Sequence, residues 1–204
     1  MKKRFLTVGL ATLLLAACSD EQATTNETPE ATTLKVASLI PPMTEILELV
    51  EPTLEAEGID LEIVVLGDNV QPNAALAANE VDANFFQHKP YMEEYNRNND
   101  ANLVPIEEIY FANYGVYAKN VDTIDALPDG ATVAIANDVS NIDRSLALLA
   151  QHNVITLGDK KDVYYTEADI TANPKNLQFE AVDLLMLARM YDDADAVVMT
   201  PAYA

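Results

Sequence analysis

The stretch "ATVAIANDVSNIDRSLALLAQHN", residues 131–153, decides the fold class of this chain. Its first six residues are apolar or β-branched, which predicts a buried strand over 131–136. Leucines at helical spacing then predict a helix over 141–153. The polar turn at 137–144 comes where the strand ends, and open α/β sheets bind ligands at the carboxyl ends of their strands. We therefore expect an α/β fold with a ligand-binding loop in this turn.

The rest of the chain repeats this alternation of strand-like and helical segments. The predicted strands lie at 34–40, 61–66, 82–86, 131–136, 174–182 and 195–199. The predicted helices lie at 44–58, 73–80, 90–98, 141–153 and 183–193. Such alternation predicts parallel sheets that are covered on both sides. An extended segment near 112–120 separates two α/β units, so we predict two lobes with a cleft between them.

The stretch "NFFQHKPYMEEY", residues 84–95, is unusual because it brings aromatic rings and an imidazole together where a strand leads into a helix. Phe86, His88 and Tyr91 could form an apolar wall with two polar tips. Such a wall suits a small ligand that has both apolar and ionic parts. The alternative for His88 is a purely structural histidine. If the fold is as predicted, this stretch, the turn at 137–144 and the end of the last strand face one cleft.

Arg144 is the charged residue that most directly suggests a ligand. It comes near the start of a predicted helix, close to Asn141. Helix N-termini favour anions, and a guanidinium can hold a carboxylate with two hydrogen bonds. The alternative is a surface arginine that pairs with Asp138 or Asp143.

The N-terminal stretch "MKKRFLTVGLATLLLAACSD" has the form of a secretory signal, with basic residues followed by an apolar run. Small residues precede Cys18, the only cysteine, as in the lipobox of bacterial lipoproteins. We predict that the signal peptide, residues 1–17, is removed and that Cys18 is acylated, which gives stable membrane anchoring. The alternative is a plain signal peptide with an accidental cysteine. Residues 18–33 hold no large aliphatic residue, so we predict a disordered tether.

The composition argues against several classes of function. The chain has 33 acidic and 12 basic residues and a formal charge of −21, which argues against binding to nucleic acid or flat adsorption on anionic lipid. It contains neither a G-x-S-x-G nor an H-E-x-x-H motif, and its two histidines are too few for a His-rich metal site. We predict no enzymatic activity, no cofactor and no metal.

Several blocks of sequence together resemble the NlpA/MetQ family of methionine-binding lipoproteins, which serve ABC importers. The resemblance extends over nearly all of residues 34–204. Besides the lipobox at Cys18 and the arginine at 144, the matching blocks are "DNVQPNAALAANEVDANFFQHKPYMEEYN" (68–96), "YGVYAKNVDTIDALPDGATVAIANDVSN" (114–141) and "DITANPKNLQF" (169–179).

The resemblance implies a type II periplasmic-binding fold whose two lobes close on a free amino acid. The family's ligand contacts fall on Phe86, His88, Tyr91, Asn141 and Arg144. Arg144 would hold the ligand carboxylate, Phe86 and Tyr91 would wall its side chain, and His88 and Asn141 would supply polar contacts.

The implied function is capture of a free amino acid, methionine above all, and its delivery to a permease and ATPase complex. The body would lie in the periplasm or extracytoplasmic space, anchored to a membrane of the bacterial envelope. We predict lobe 1 at 34–114 and lobe 2 at 115–204. One alternative is a binding protein for another small amino acid or a dipeptide. The other is a non-transport envelope lipoprotein that has lost ligand binding.

Three positions depart from the family pattern, and each would alter the ligand site. Asn69 stands where the family usually has tyrosine, Met43 where it has histidine, and Ala202 where it has a ligand-binding asparagine. We expect weaker methionine binding from these changes. Family members also continue past Ala204, with another ligand-binding asparagine and segments that return to lobe 1. We therefore expect a C-terminally truncated fold with an incomplete first lobe.

Overall fold

The computed structural model describes residues 32–203. The predicted signal peptide, the acylation site at Cys18 and nearly all of the predicted tether lie outside these residues. The first strand begins at Thr32, so the last two residues assigned to the tether belong to a sheet. Within the described part of the chain, no helix is long and apolar enough to cross a membrane.

The first sheet is parallel throughout. Its strands are β1 (Thr32–Ser38), β2 (Ile59–Val65) and β3 (Ala83–Asn84), in the order β2-β1-β3. Its helices are α1 (Met43–Ala56), α2 (Gln71–Ala77) and α3 (Lys89–Asn99). The predicted strand at 82–86 is reduced to two residues because the chain leaves β1 after Asn84 and enters a loop held by side-chain hydrogen bonds.

Local sequence signals account for the ends of these helices. The turn after α1 needs Gly58, whose φ of +80° is unfavourable for residues with a side chain. Pro90 lies in the first turn of α3, where its missing N–H leaves no helical hydrogen bond unmade. Asp100 ends α3 in the left-handed conformation, with φ of 50°.

The second sheet is mixed, which corrects the prediction of parallel sheets alone. Its strands are β4 (Gly115–Tyr117), β5 (Thr132–Ala136), β8 (Gln178–Val182) and β9 (Ala196–Met199), in the order β4-β9-β5-β8. Edge strand β4 runs antiparallel to β9, whereas β8 and β9 run parallel to β5. Because β4 follows an extended segment rather than a crossover helix, it need not share the direction of its neighbours. The prediction also omitted a small antiparallel hairpin, β6 (Thr156–Leu157) with β7 (Ile170–Ala172).

The main core packs helices onto both faces of β5. One face meets α4 (Val139–Gln151), where Leu146 and Leu149 lie one turn apart and are fully buried. The other face meets α5 (Leu187–Asp193), through Leu187. The structure thus confirms the α/β fold, and β5 and α4 match the strand and helix predicted from 131–153. The lobe boundaries at 34–114 and 115–204 stay a prediction.

Candidate functional site

A network of side-chain amides, in which Asn73 is fully buried, holds the loop between β3 and α3. Asn73 and Gln87 exchange two side-chain hydrogen bonds, of 2.7 and 2.6 Å. Asn84 Nδ2 donates to Asn73 Oδ1 at 2.9 Å, and Asn84 Oδ1 accepts from Gln87 Nε2 at 3.1 Å. Ser38 Oγ, at the end of β1, donates to the carbonyl of Phe85 at 2.9 Å. The loop that presents Phe86 and His88 is therefore held by hydrogen bonds to Asn73 of α2 and Ser38 of β1.

His88 carries the clearest sign of an unmet contact. Its Nε2 is buried and has no hydrogen-bond partner among residues 32–203. Burial lowers the pKa of His88 to about 4, with a further lowering from the charge of Arg144 and an opposing effect from Asp138. The ring is therefore neutral at physiological pH. A buried polar atom without a partner is costly, so its position suits a polar group of a bound molecule.

Tyr91 and Phe86 form the aromatic part of the same wall. Their rings meet edge to face, with centroids 5.9 Å apart. Tyr91 Oη donates to the carbonyl of Asn69 at 2.9 Å and accepts from Asn69 Nδ2 at 3.0 Å. Burial raises the pKa of Tyr91 to about 12, so its hydroxyl stays protonated. Asn69 is only 4% exposed, and its side-chain amide donates to the Tyr91 hydroxyl.

Arg144 lies on α4, and its side-chain contacts are not with the carboxylates predicted as alternative partners. Its Nη2 donates to the carbonyl of Ala112 at 2.9 Å, and its guanidinium lies 4.0 Å from the ring centre of Tyr114. Asp143 accepts instead from Lys160 Nζ at 2.6 Å. No carboxylate of the described residues lies within ion-pair distance of Arg144. The surface-pair interpretation is therefore not what the structure shows.

Asn141 is buried in the first turn of α4 and is held from two sides. Its Oδ1 accepts from Tyr114 Oη at 2.8 Å, and its Nδ2 donates to Asp138 Oδ2 at 2.8 Å. Asp138 is also the N-cap of α4, accepting from the Asn141 backbone N–H at 3.0 Å. One N–H of the Asn141 amide is left for a ligand, because the other donates to Asp138.

The five predicted ligand contacts thus fall into two groups. On the first-sheet side, the Tyr91 ring lies next to those of both Phe86 and His88. On the other side, Asn141 and Arg144 are joined through Tyr114. The link between the groups is electrostatic, since the Arg144 charge acts on His88.

The segment that follows β9, which was also predicted to face the cleft, lies near the same residues. Burial raises the pKa of Tyr203, with further contributions from the nearby Tyr91 and Asp138. Ala202 next to it is half-buried, and Met43, the third departure, is buried at the start of α1.

Sequence reasoning missed Tyr114, the amide network and the role of Asp138 as the N-cap of α4 and partner of Asn141. Asp138 carries a recognisable signal, because an aspartate just before a predicted helix is a preferred N-cap. Tyr114 has no such signal, since its partners Asn141 and Arg144 are distant in sequence. Within residues 32–203, the structure brings together no cluster of three metal-binding side chains.

The family model described as NlpA lipoprotein matches residues 34–204. The chain is 39% identical over 208 residues to "Outer membrane lipoprotein 2" of Mannheimia haemolytica, covering 99% of this chain and 75% of the relative. It is 39% identical over 210 residues to "Methionine-binding lipoprotein MetQ" of Bacillus subtilis, covering 100% of this chain and 76% of the relative.

Solved structures give the same assignment. A nutrient binding protein from Burkholderia cenocepacia bound to methionine superposes with a TM-score of 0.80 at 35% identity, covering 84% of this chain and 73% of that one. Lipoprotein Tp32 from Treponema pallidum superposes with a TM-score of 0.82 at 29% identity, covering 85% of this chain and 72% of that one. These likenesses confirm the predicted two-lobed fold.

Proposed function

Because this chain belongs to the NlpA lipoprotein family, we propose that it is the substrate-binding lipoprotein of an amino-acid ABC importer and that methionine is its ligand. It binds its ligand and performs no chemistry on it. A relative named as methionine-binding and a similar structure bound to methionine support the choice of ligand.

The single observation that carries the proposal is the buried, unpartnered Nε2 of His88 in a site that also holds Arg144. A free amino acid offers a carboxylate, an ammonium and a side chain. A neutral imidazole, a guanidinium without a carboxylate partner and an aromatic wall match these three parts. No negatively charged side chain among the described residues competes for Arg144 at ion-pair distance.

Each site residue then has a physical role. Arg144 holds the α-carboxylate with the guanidinium N–H groups that Ala112 does not use. Phe86 and Tyr91 surround the thioether, since sulfur packs favourably near aromatic rings. His88 and Asn141 supply polar contacts, each with a buried nitrogen to offer.

The anchor and the partners complete the proposal. Acylation at Cys18 would hold the body at a membrane of the bacterial envelope, with residues 19–31 as a tether. The loaded protein would pass its ligand to a permease and ATPase complex. Relatives described as lipoproteins, and a similar ABC transporter periplasmic substrate-binding protein from Coxiella burnetii, support both points.

Mass spectrometry of the ligand released from freshly purified, denatured protein tests the proposal. We expect methionine, and calorimetric titration of the ligand-depleted protein should then show saturable binding of L- or D-methionine. Release of a different amino acid or a dipeptide would replace methionine as the ligand. Absence of any bound amino acid, with no binding to a panel of them, would favour an envelope lipoprotein without transport function.

A further inference from the structure

A loop of the second lobe reaches across to the helix that follows His88. Tyr164 Oη donates to the carbonyl of Pro90 at 2.9 Å and accepts from Arg97 Nη2 at 2.9 Å. The Arg97 guanidinium lies 5.4 Å from the centre of the Tyr164 ring. Pro90 lies between His88 and Tyr91 in the first turn of α3. The hydroxyl of Tyr164 therefore bonds directly to the turn that presents half of the candidate site.

The same loop is fastened at its other end to the helix that carries the second half of the site. The backbone N–H of Tyr165 donates to Asp143 Oδ1 at 2.6 Å, and Lys160 Nζ lies 2.6 Å from the same oxygen. Asp143 directly precedes Arg144 on α4. Lys160 Nζ also lies 4.3 Å from the ring centre of Tyr165, so this contact links two residues within the loop.

We infer that Tyr164 is a positioning residue, which favours the arrangement in which the two halves of the ligand site lie close together. The segment 160–165, here termed the clasp, ties the turn of Arg144 to the turn of His88. Its effect on ligand retention rests on the proposed function, whereas its effect on the distance between the two turns does not. Tyr164 need not touch the ligand.

The geometry suits a contact that opens and recloses. Tyr164 uses its one hydroxyl both as donor and as acceptor, so loss of that oxygen removes both hydrogen bonds at once. Arg97 also pairs with Glu94 on the same helix, which presents its guanidinium towards Tyr164. The Arg97 side chain is 43% exposed, so water competes for it and the clasp shifts an opening equilibrium rather than locking it.

Hydrogen–deuterium exchange of the full chain in detergent, without ligand, tests the clasp. Tyr164→Phe keeps the ring and removes the hydroxyl. We expect exchange to rise roughly threefold or more in both the first turn of α3 and the clasp, because both lose their mutual support. Tyr165→Phe is the matched control, since the hydroxyl of Tyr165 makes no hydrogen bond among the described residues and its backbone N–H is retained. Equal exchange in the two variants would overturn the inference.

The dissociation rate of methionine is the second readout, followed by stopped-flow tyrosine fluorescence because the chain has no tryptophan. We expect Tyr164→Phe to raise this rate about fivefold to tenfold and Tyr165→Phe to leave it unchanged. If exchange rises but dissociation does not, the clasp exists but the positioning role is refuted. If the wild type does not bind methionine, the proposed ligand fails, and the exchange comparison alone then upholds or refutes the tie between the two turns.

Discussion

Replacement of Arg144 by alanine is the most direct perturbation of the candidate site. Arg144 is half-buried with its guanidinium over Tyr114, and within residues 32–203 its side chain makes one hydrogen bond, to the carbonyl of Ala112. Without it, a bound α-carboxylate would lie in a partly desolvated cleft with no cation. Removal of one partner from such a pair costs about 2–4 kcal/mol, which is roughly 30-fold to 1,000-fold in dissociation constant.

Calorimetric titration with methionine at pH 7 measures this loss. Arg189→Ala, on the exposed face of α5, is the matched control and should bind as the wild type does. The dissociation constant of Arg144→Lys should lie between those of the wild type and Arg144→Ala, because lysine keeps the charge but lacks the forked geometry of the guanidinium. Wild-type affinity in Arg144→Ala, with an unchanged circular dichroism spectrum, would refute the carboxylate role.

The remaining predictions concern protonation, packing and anchoring. Because the folded-state pKa of His88 is about 4, below the ordinary 6.5, the unfolded chain binds more protons between these values. The contribution of His88 to the free energy of unfolding should therefore be largest above pH 6.5 and fall by up to about 3 kcal/mol as the pH approaches 4. Urea titrations should show a shallower fall in His88→Phe, and an identical fall would contradict the shifted pKa. Leu146→Ala should lower the free energy of unfolding by about 2–5 kcal/mol, because the side chain is fully buried. The exposed Leu49→Ala should change it by less than about 0.5 kcal/mol, and equal effects would place Leu146 outside the core. The Cys18→Ser variant should either be released to the soluble fraction or keep its signal peptide. If it is processed and fractionates with membranes as the wild type does, the lipid anchor is excluded.

Local signals in the sequence predicted most of the elements around the site. Pro90 marked the start of α3, and the apolar run at 131–136 marked the central strand β5. The family and the two-lobed α/β fold were both predicted correctly. Such signals act between neighbours in sequence, so they reach only as far as a strand, a turn and the following helix.

Contacts between distant segments could not be predicted in this way. The antiparallel pairing of β4 depends on β9, which follows it much later in the chain. Tyr114 was overlooked because its role arises only where its hydroxyl meets Asn141. The amide of Asn69 bonds to the Tyr91 hydroxyl, a pairing that residue type alone does not reveal. The ligand contacts themselves stay a prediction.

The position of β9 in the second sheet affects the order in which the sheet can form during folding. β9 lies between β4 and β5, although both are synthesised before it. Until residues 196–199 take their place in the sheet, one edge of β5 and the inner edge of β4 have no strand to pair with. Such open edges favour pairing with other chains. A partly folded chain in which β9 is not yet in place is therefore the species most exposed to pairing with other chains.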